Sequence, residues 1–248
     1  MYGNLTSDGT RSYSWDADNR LIGIAYPATP GKATTFAYDG LGRRTTISHT
    51  PAGGGAAVAT SYVWCGDRPC QARDASNQPQ RAYYTEGERL LGSSPASLFY
   101  GVDQLGSVRR VFASPTSASA YSYDPYGLPL QTTTPLTDFG YAGLINEPDS
   151  GLGLATYRVY DPRVGRWISR DPIGERGDRA GNFCVYVNGD PVSDNDPAGL
   201  VSDSTPSNNQ VQNAQVNAIC KKLGLNKKQL RLLHDEITGK KPRISGYS

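Results

Sequence analysis

The chain has 248 residues and a formal net charge of +2, and its 28 Gly, 17 Pro and 16 Tyr contrast with only 5 Phe. This composition is typical of short strands joined by tight turns. The small net charge predicts no particular partner. No apolar run is long enough to span a membrane, and no charged-then-apolar signal peptide follows Met1.

Charge is distributed unevenly along the chain. Residues 201–248 contain 8 Lys or Arg and 3 Asp or Glu, whereas the first 200 residues contain 17 and 20. Six lysines lie in the last 48 residues and only Lys32 lies before them. This change of composition predicts a domain boundary near Leu200.

The first predicted elements are two similar hairpins. Y-S-W-D-A-D-N-R-L starts at Tyr13 and F-A-Y-D-G-L-G-R-R-T starts at Phe36. Each reads as an alternating aromatic strand, an acidic turn and an arginine-bearing strand. Asp16 and Asp39 are 23 residues apart, which fits a repeat of about this length. In the second hairpin we expect Gly42 to supply a positive φ.

The same pattern continues further along the chain. A flexible Gly/Ala loop is predicted at 50–60, and strand–turn–strand units follow at 61–73, 81–92 and 98–112, with a further turn unit at 121–130. No convincing amphipathic helix precedes residue 200, so the body reads as a succession of antiparallel hairpins. Cys65 and Cys70 flank a predicted turn, where either a disulfide or two small unlinked side chains would fit. The cysteine and histidine spacing does not favour a zinc site.

Two Asp-Pro-x-Gly turns, at Asp171–Gly174 and Asp196–Gly199, bracket the segment where the chain changes character. This sequence is an ordinary type I turn, with Asp first, Pro second and Gly fourth. The chain has a similar turn at Asp124 and a longer relative at Asp161. From the turn chemistry alone, a purely structural role is the simpler interpretation.

Several motifs together are more specific than any one turn. Y-D-G-L-G-R-R, V-D-Q-L-G-S-V-R, Y-D-P-Y-G-L-P and Y-R-V-Y-D-P-R-V-G-R-W-I-S-R-D-P-I-G resemble the tyrosine–aspartate (YD) repeats and the repeat-associated core of bacterial RHS proteins. These include C components of insecticidal toxin complexes and toxin-carrying RHS effectors. The resemblance covers roughly Tyr13 to Leu200. It implies a mainly β fold, a curved antiparallel hairpin strip that forms part of a hollow shell closed by the core domain.

The resemblance also implies a domain plan and a cleavage. We expect YD-repeat hairpins at 1–135, the core domain at 136–200, a linker at 201–210 and a short basic helical tail at 211–248. Asp171 and Asp196 would be the catalytic pair of a self-cleaving aspartic site, with Arg170 beside the first. The scissile bond would join Leu200 to Val201. No cofactor and no metal ion are implied.

The chemistry expected of such a pair is that of an aspartic dyad. Two carboxylates held a few ångströms apart share one proton, so one can act as a base on water and the other as an acid. A bond in the same chain needs to be cut only once, and its attack is intramolecular. The alternative is a non-catalytic β-shell or interaction module in which both Asp-Pro-x-Gly motifs are only turns.

Two features depart from the family pattern. The connection between the motifs is longer, with E-R-G-D-R-A-G before Asn182, and Cys184 stands where a tyrosine is usual. We expect Cys184 to be a small buried residue and Trp167 and Tyr160 to pack the closing strands. Five arginines are expected to pair with Asp or Tyr side chains on strand faces: Arg109, Arg110, Arg158, Arg163 and Arg166.

The implied partners follow from the family. They are the chain's own C-terminal segment as cargo, the remaining RHS repeats or toxin-delivery components, and an immunity protein for the tail. Such a protein would be bacterial and exported or delivered by a toxin apparatus. Nucleic-acid binding by the body is not expected, since the first 200 residues are acidic overall and their arginines are dispersed. His234, Asp235 and Glu236 point in different directions on a helix and would not converge on one ion.

Overall fold

The computed structural model describes residues 3–114, 117–131, 135–172 and 182–200. These residues form two antiparallel sheets, one of eleven strands and one of four, and contain no α-helix. The predicted linker and helical tail after Leu200, and the long connection before Asn182, lie outside the described residues. Among the residues described, no helix has the length and apolarity needed to cross a bilayer.

The larger sheet is an open, curved strip in which every strand pairs with its sequence neighbours. This confirms the predicted succession of hairpins. Its strands are β1 (Ser12–Trp15), β2 (Leu21–Ala25), β3 (Ala33–Tyr38), β4 (Arg44–Thr50), β5 (Val58–Cys65), β6 (Arg68–Arg73), β7 (Pro79–Tyr84), β8 (Gly87–Leu90), β9 (Ala96–Val102), β10 (Val108–Ser114) and β11 (Ser117–Ala120).

An aspartate organises the turns of this strip by a recurrent set of hydrogen bonds. Between β3 and β4, Asp39 Oδ1 accepts N–H groups of Leu41 and Arg43 at 2.9 Å, and Asp39 Oδ2 accepts Nε of Arg43 at 2.8 Å. Asp16 makes the equivalent bonds within its own turn, and Asp74 and Asp103 use Oδ1 in the same way. Asp124 does so in the turn that follows the last strand of the strip. The acidic residue of the repeat therefore satisfies backbone donors that a tight turn leaves unpaired.

Two details of the strip correct the sequence interpretation. Strand β5 begins at Val58, inside the predicted loop, and pairs His49 with Val58 in the β4–β5 register. The turn between β5 and β6 is tighter than expected, because Arg68 already pairs with Cys65. Of the two readings left open for this hairpin, the structure has the disulfide between Cys65 and Cys70.

The smaller sheet, which we call the core sheet, comes later in the chain. Its strands are β12 (Ile145–Glu147), β13 (Leu152–Leu154), β14 (Val159–Asp161) and β15 (Arg166–Trp167). In sequence, one short 3₁₀ turn precedes the core sheet, at Tyr141–Gly143, and another follows it, at Val187–Gly189. The strands are short and mostly buried, so their stability comes from packing rather than from length.

The core sheet packs against the first strands of the strip. Residues of β1–β4 and of the core sheet share one apolar cluster: Tyr13, Leu21, Ile24, Phe36 and Ile47 from the strip, and Leu152, Leu154, Val159 and Ile168 from the core sheet and the residue that follows it. A buried ion pair joins the same two regions, with Arg11 Nη2 3.1 Å from Asp161 Oδ2. The core sheet is thereby fixed to the strip. The residues of the predicted site lie next to its last two strands, β14 and β15.

Candidate active site

Two segments that are distant in sequence meet at the candidate site. The first runs through β15 to Asp171 and lies beside residues 182–185. The backbone N–H of Trp167 donates to Cys184 O at 3.0 Å, and that of Asp171 donates to Phe183 O at 3.0 Å. These bonds hold Asp171 in place even though the connection from 173 to 181 is outside the described residues.

The second segment is the Asp-Pro-x-Gly turn itself. Asp196 Oδ1 accepts the N–H groups of Gly199 and Leu200 at 2.8 and 2.9 Å, much as the aspartates of the strip do. The turn docks on the connection between β13 and β14 through the N–H of Tyr157, which donates to Ala198 O at 3.0 Å. Gly199 has φ +75, and a Cβ there would lie 2.9 Å from Arg158 Cβ, so a glycine is required.

Arg158 connects the two aspartates. Its Nη2 lies 3.1 Å from Asp171 Oδ2 and 2.9 Å from Asp196 Oδ2, and its Nε donates to Gly199 O at 2.5 Å. Since both carboxylate oxygens are within about 3 Å of one nitrogen, they are at most about 6 Å apart. The two predicted acids therefore lie close together, and Asp196 also contacts Leu200.

The site is shielded from solvent. The side chains of Arg158, Asp171 and Asp196 are 4%, 9% and 2% exposed, and Leu200 is buried. Burial raises the pKa of Asp196 to about 6, helped by the charge of Asp171 and opposed by Arg158 and by the N–H groups of Leu200 and Gly199. One of the two carboxyls thus binds a proton more tightly than an ordinary aspartate does.

Aromatic rings form one wall of the site. The Arg158 guanidinium lies 4.3 Å from the centre of the Trp167 ring, which allows a cation–π contact. Trp167 packs against Tyr160 and Tyr186, with ring centres 5.5 and 5.6 Å away. Trp167 and Tyr160 are buried, as predicted. Trp167 therefore packs between the Arg158 guanidinium and the two tyrosine rings.

Other predicted residues lie elsewhere. Arg170 is exposed, and its guanidinium lies 4.3 Å from the centre of the Phe183 ring. Cys184, expected to be buried, is only half-buried, with Sγ 3.7 Å from Ser169 O. Val201 lies outside the described residues, so only the Leu200 side of the predicted scissile bond can be placed.

Sequence reasoning assigned Arg158 only to a group of arginines expected to pair with acids or tyrosines. That expectation holds for Arg158, and also for Arg109, which lies 2.7 Å from Asp103. It did not distinguish Arg158 as the residue between the two aspartates. The only available signal was its position in Y-R-V-Y-D-P, immediately before a buried strand.

Comparison with known proteins supports the resemblance found in the motifs. The Teneurin YD-shell family model matches residues 87–190. The chain is 32% identical to the tRNA nuclease WapA of Bacillus subtilis over 210 residues, covering 79% of this chain and 9% of WapA. The chain belongs to the RHS/YD-repeat proteins. A further relative of this RHS/YD-repeat chain is the double-stranded DNA deaminase toxin A of Burkholderia cenocepacia, 30% identical over 236 residues, with 80% of this chain and 16% of the toxin covered.

The fold has a counterpart among solved structures. The crystal structure of TcdB2-TccC3-Cdc42 matches 80% of this RHS/YD-repeat chain and 10% of its own chain, with a TM-score of 0.63 and 18% identity. At that identity the likeness concerns the fold alone. The chain spans less than a tenth of the length of the WapA relatives it matches.

Proposed function

We propose that this chain is the C-terminal part of an RHS-type encapsulating protein whose core cuts its own chain after Leu200. The observation that supports this most is the convergence of Asp171 and Asp196 on Arg158, beside the turn that ends at Leu200. The domain plan, with repeats at 1–135, core at 136–200 and a released segment after it, belongs to the same proposal. The relatives named as nuclease and deaminase toxins support a toxin, or what remains of one, as the released segment.

In the proposed reaction the two aspartates have different protonation states. Asp171 takes a proton from water, whose oxygen adds to the carbonyl carbon of Leu200. Asp196, with its raised pKa, supplies a proton to the nitrogen of Val201 as the C–N bond breaks. Arg158 orients both carboxylates and offsets their charge, and it holds Gly199 O so that the turn stays aligned. Arg170 is exposed beside Asp171. In this proposal it helps to position the segment that follows Leu200.

The delivery route is a proposal as well. We infer that the chain acts together with further RHS repeats or components of a toxin-delivery apparatus in a bacterium, and that the released segment is its cargo. An immunity protein for that segment would be required if it is toxic to the producing cell.

A second function is supported by the turn geometry. Asp196 Oδ1 caps its turn with the same type of bonds that Asp124 Oδ1 makes in its own Asp-Pro-x-Gly turn. In this alternative both aspartates serve only to close turns, and the chain is a non-catalytic shell module. Arg158 would then be a structural counter-ion.

Intact mass of the purified full chain separates the two functions. We expect wild type to consist of fragments 1–200 and 201–248, whereas Asp171→Asn and Asp196→Asn remain full length, because each lacks one member of the acid–base pair. Asp124→Asn is the matched control, since it alters the same kind of turn away from Arg158 and should be cut as wild type is. A full-length wild type, or equal cutting in both variants with normal thermal unfolding, would leave only the shell module.

A further inference from the structure

A second cluster of ionisable side chains lies where the strip meets the core sheet. His49 is on β4, Glu147 ends β12, and Asp149 is in the turn that follows. His49 Nδ1 lies 3.0 Å from Asp149 Oδ2 and 3.4 Å from Glu147 Oε1. One ligand atom from each of the three residues lies within 4.8 Å of the others.

The negative charge of this cluster is only partly balanced. The Glu147 side chain is fully buried, and its Oε2 is held by the N–H of Ser150 at 2.6 Å and by the Ser150 hydroxyl. Its Oε1 accepts a long bond of 3.3 Å from the Asp149 N–H and otherwise faces His49. Lys32 Nζ lies 2.8 Å from the other oxygen of Asp149, Oδ1. Two carboxylates, one of them fully buried, therefore lie next to the His49 ring, and a bound cation would offset their negative charge.

We propose that His49, Glu147 and Asp149 bind one divalent transition-metal ion, with Zn²⁺ as the best fit. One imidazole nitrogen and two carboxylate oxygens are ligands that Zn²⁺ accepts at about 2.0–2.2 Å. In a tetrahedron with such bonds, ligand atoms are about 3.3–3.6 Å apart. The distances of 3.0 and 3.4 Å from His49 Nδ1 are close to this arrangement. All three ligand atoms lie within 4.8 Å of one another, so rearrangement of the side chains can bring the carboxylate oxygens onto one ion.

The remaining contacts fit a bound ion. His49 and Asp149 are 29% and 28% exposed, so an ion can reach them from solvent while Glu147 closes the site from within. Lys32 stays on Asp149 Oδ1 and leaves Oδ2 for the metal. His49 must offer the Nδ1 lone pair, so its proton moves to Nε2 or to solvent when the ion binds.

The site would link two parts of the fold. His49 and Asp149 are 100 residues apart in sequence, one on the strip and the other beside the core sheet. An ion bound to both would stabilise the folded chain by mass action and would make the junction between the strip and the core sheet sensitive to metal concentration. The proposal is independent of chain cleavage.

The test is titration of Zn²⁺ alone into the tag-free full chain, followed by calorimetry and thermal unfolding. Cys184 and Cys220 are changed to Ser so that free thiols do not contribute. We expect one equivalent to bind and the Tm to rise by roughly 5–10 °C when free Zn²⁺ is about a hundredfold above Kd. Co²⁺ should give the visible absorption of a four-coordinate nitrogen–oxygen site.

Matched variants decide the assignment. His49→Ala and Asp149→Asn should each weaken Zn²⁺ binding at least tenfold, whereas His234→Ala, which changes the other histidine of the chain, should bind as the parent does. Asp149→Asn keeps a hydrogen-bond partner for His49 and serves if His49→Ala does not fold. The proposal is overturned if the parent binds no Zn²⁺, or if it binds equally well in His49→Ala and Asp149→Asn.

Discussion

At the scale of single residues, Arg158 contacts both aspartates of the proposed dyad. A single nitrogen contacts both carboxylates while Nε holds Gly199 O, a division of roles that a planar guanidinium permits. Arg170 is exposed while the next residue, Asp171, is nearly buried and contacts Arg158. Adjacency in sequence was therefore a poor guide to the contacting arginine.

Replacing Arg158 tests this role. We expect Arg158→Lys to slow cleavage at least tenfold, because one ammonium group cannot hold both carboxylates and Gly199 O. Arg158→Met should also raise the apparent pKa of the cleavage profile, since a positive charge next to both acids is lost. Arg109→Lys, which alters a more exposed pair with Asp103, is the control. The rates come from intact mass against time after refolding; unchanged rates in both Arg158 variants would exclude the role.

The raised pKa of the buried Asp196 carboxyl predicts how the rate of the proposed cleavage depends on pH. Its folded pKa, raised by burial to about 6, means that the protonated form is present below about pH 6 and is lost as the pH rises through that value. If this proton is transferred in the reaction, the cleavage rate should fall by roughly tenfold per pH unit above about pH 6. Refolding at pH 5.5, 7 and 8.5 measures it; a rate that increases steadily over this range would contradict the assignment of Asp196 as the acid.

At the scale of elements, the turns of the strip can be argued from local chemistry. In the β3–β4 turn Gly42 has φ +76, whereas Gly40 has an ordinary φ and open space around its Cβ position. Gly42→Ala should destabilise the protein by about 1 kcal/mol or more, because alanine resists that conformation. Gly40→Ala should change stability by no more than about 0.5 kcal/mol. Urea unfolding of the two variants gives the comparison, and equal stabilities would contradict this account of the turn.

The elements also show why the strip was predictable and the site was less so. In the β1–β2, β3–β4 and β9–β10 hairpins the turn aspartate binds an arginine four to six residues further on, so the sequence indicates these hairpins directly. The limits of β5 depended on pairing with β4, and the predicted loop was consequently too long. Asp171 and Asp196 were found by resemblance, but Arg158 contacts Asp196 across 38 residues, a relation that no local pattern contains.

At the scale of the whole molecule, the core sheet brings the site together. It packs its apolar side on β1–β4 and uses its last strands to align residues 182–185 and the final turn. The Arg11–Asp161 pair and the His49–Asp149 contact join the same two regions, across 150 and 100 residues. The geometry of the dyad thus depends on the strip being folded, which would restrict cleavage to a completed chain.

The most direct measurement is the intact mass of the chain refolded in H₂¹⁸O. Water attack at Leu200 predicts a wild-type fragment 1–200 about 2 Da heavier than the same fragment formed in ordinary water, since one carboxyl oxygen comes from solvent. Asp171→Asn and Asp196→Asn should give only the full-length mass. A wild type that stays intact, or a cut elsewhere that persists in both variants, would contradict the account.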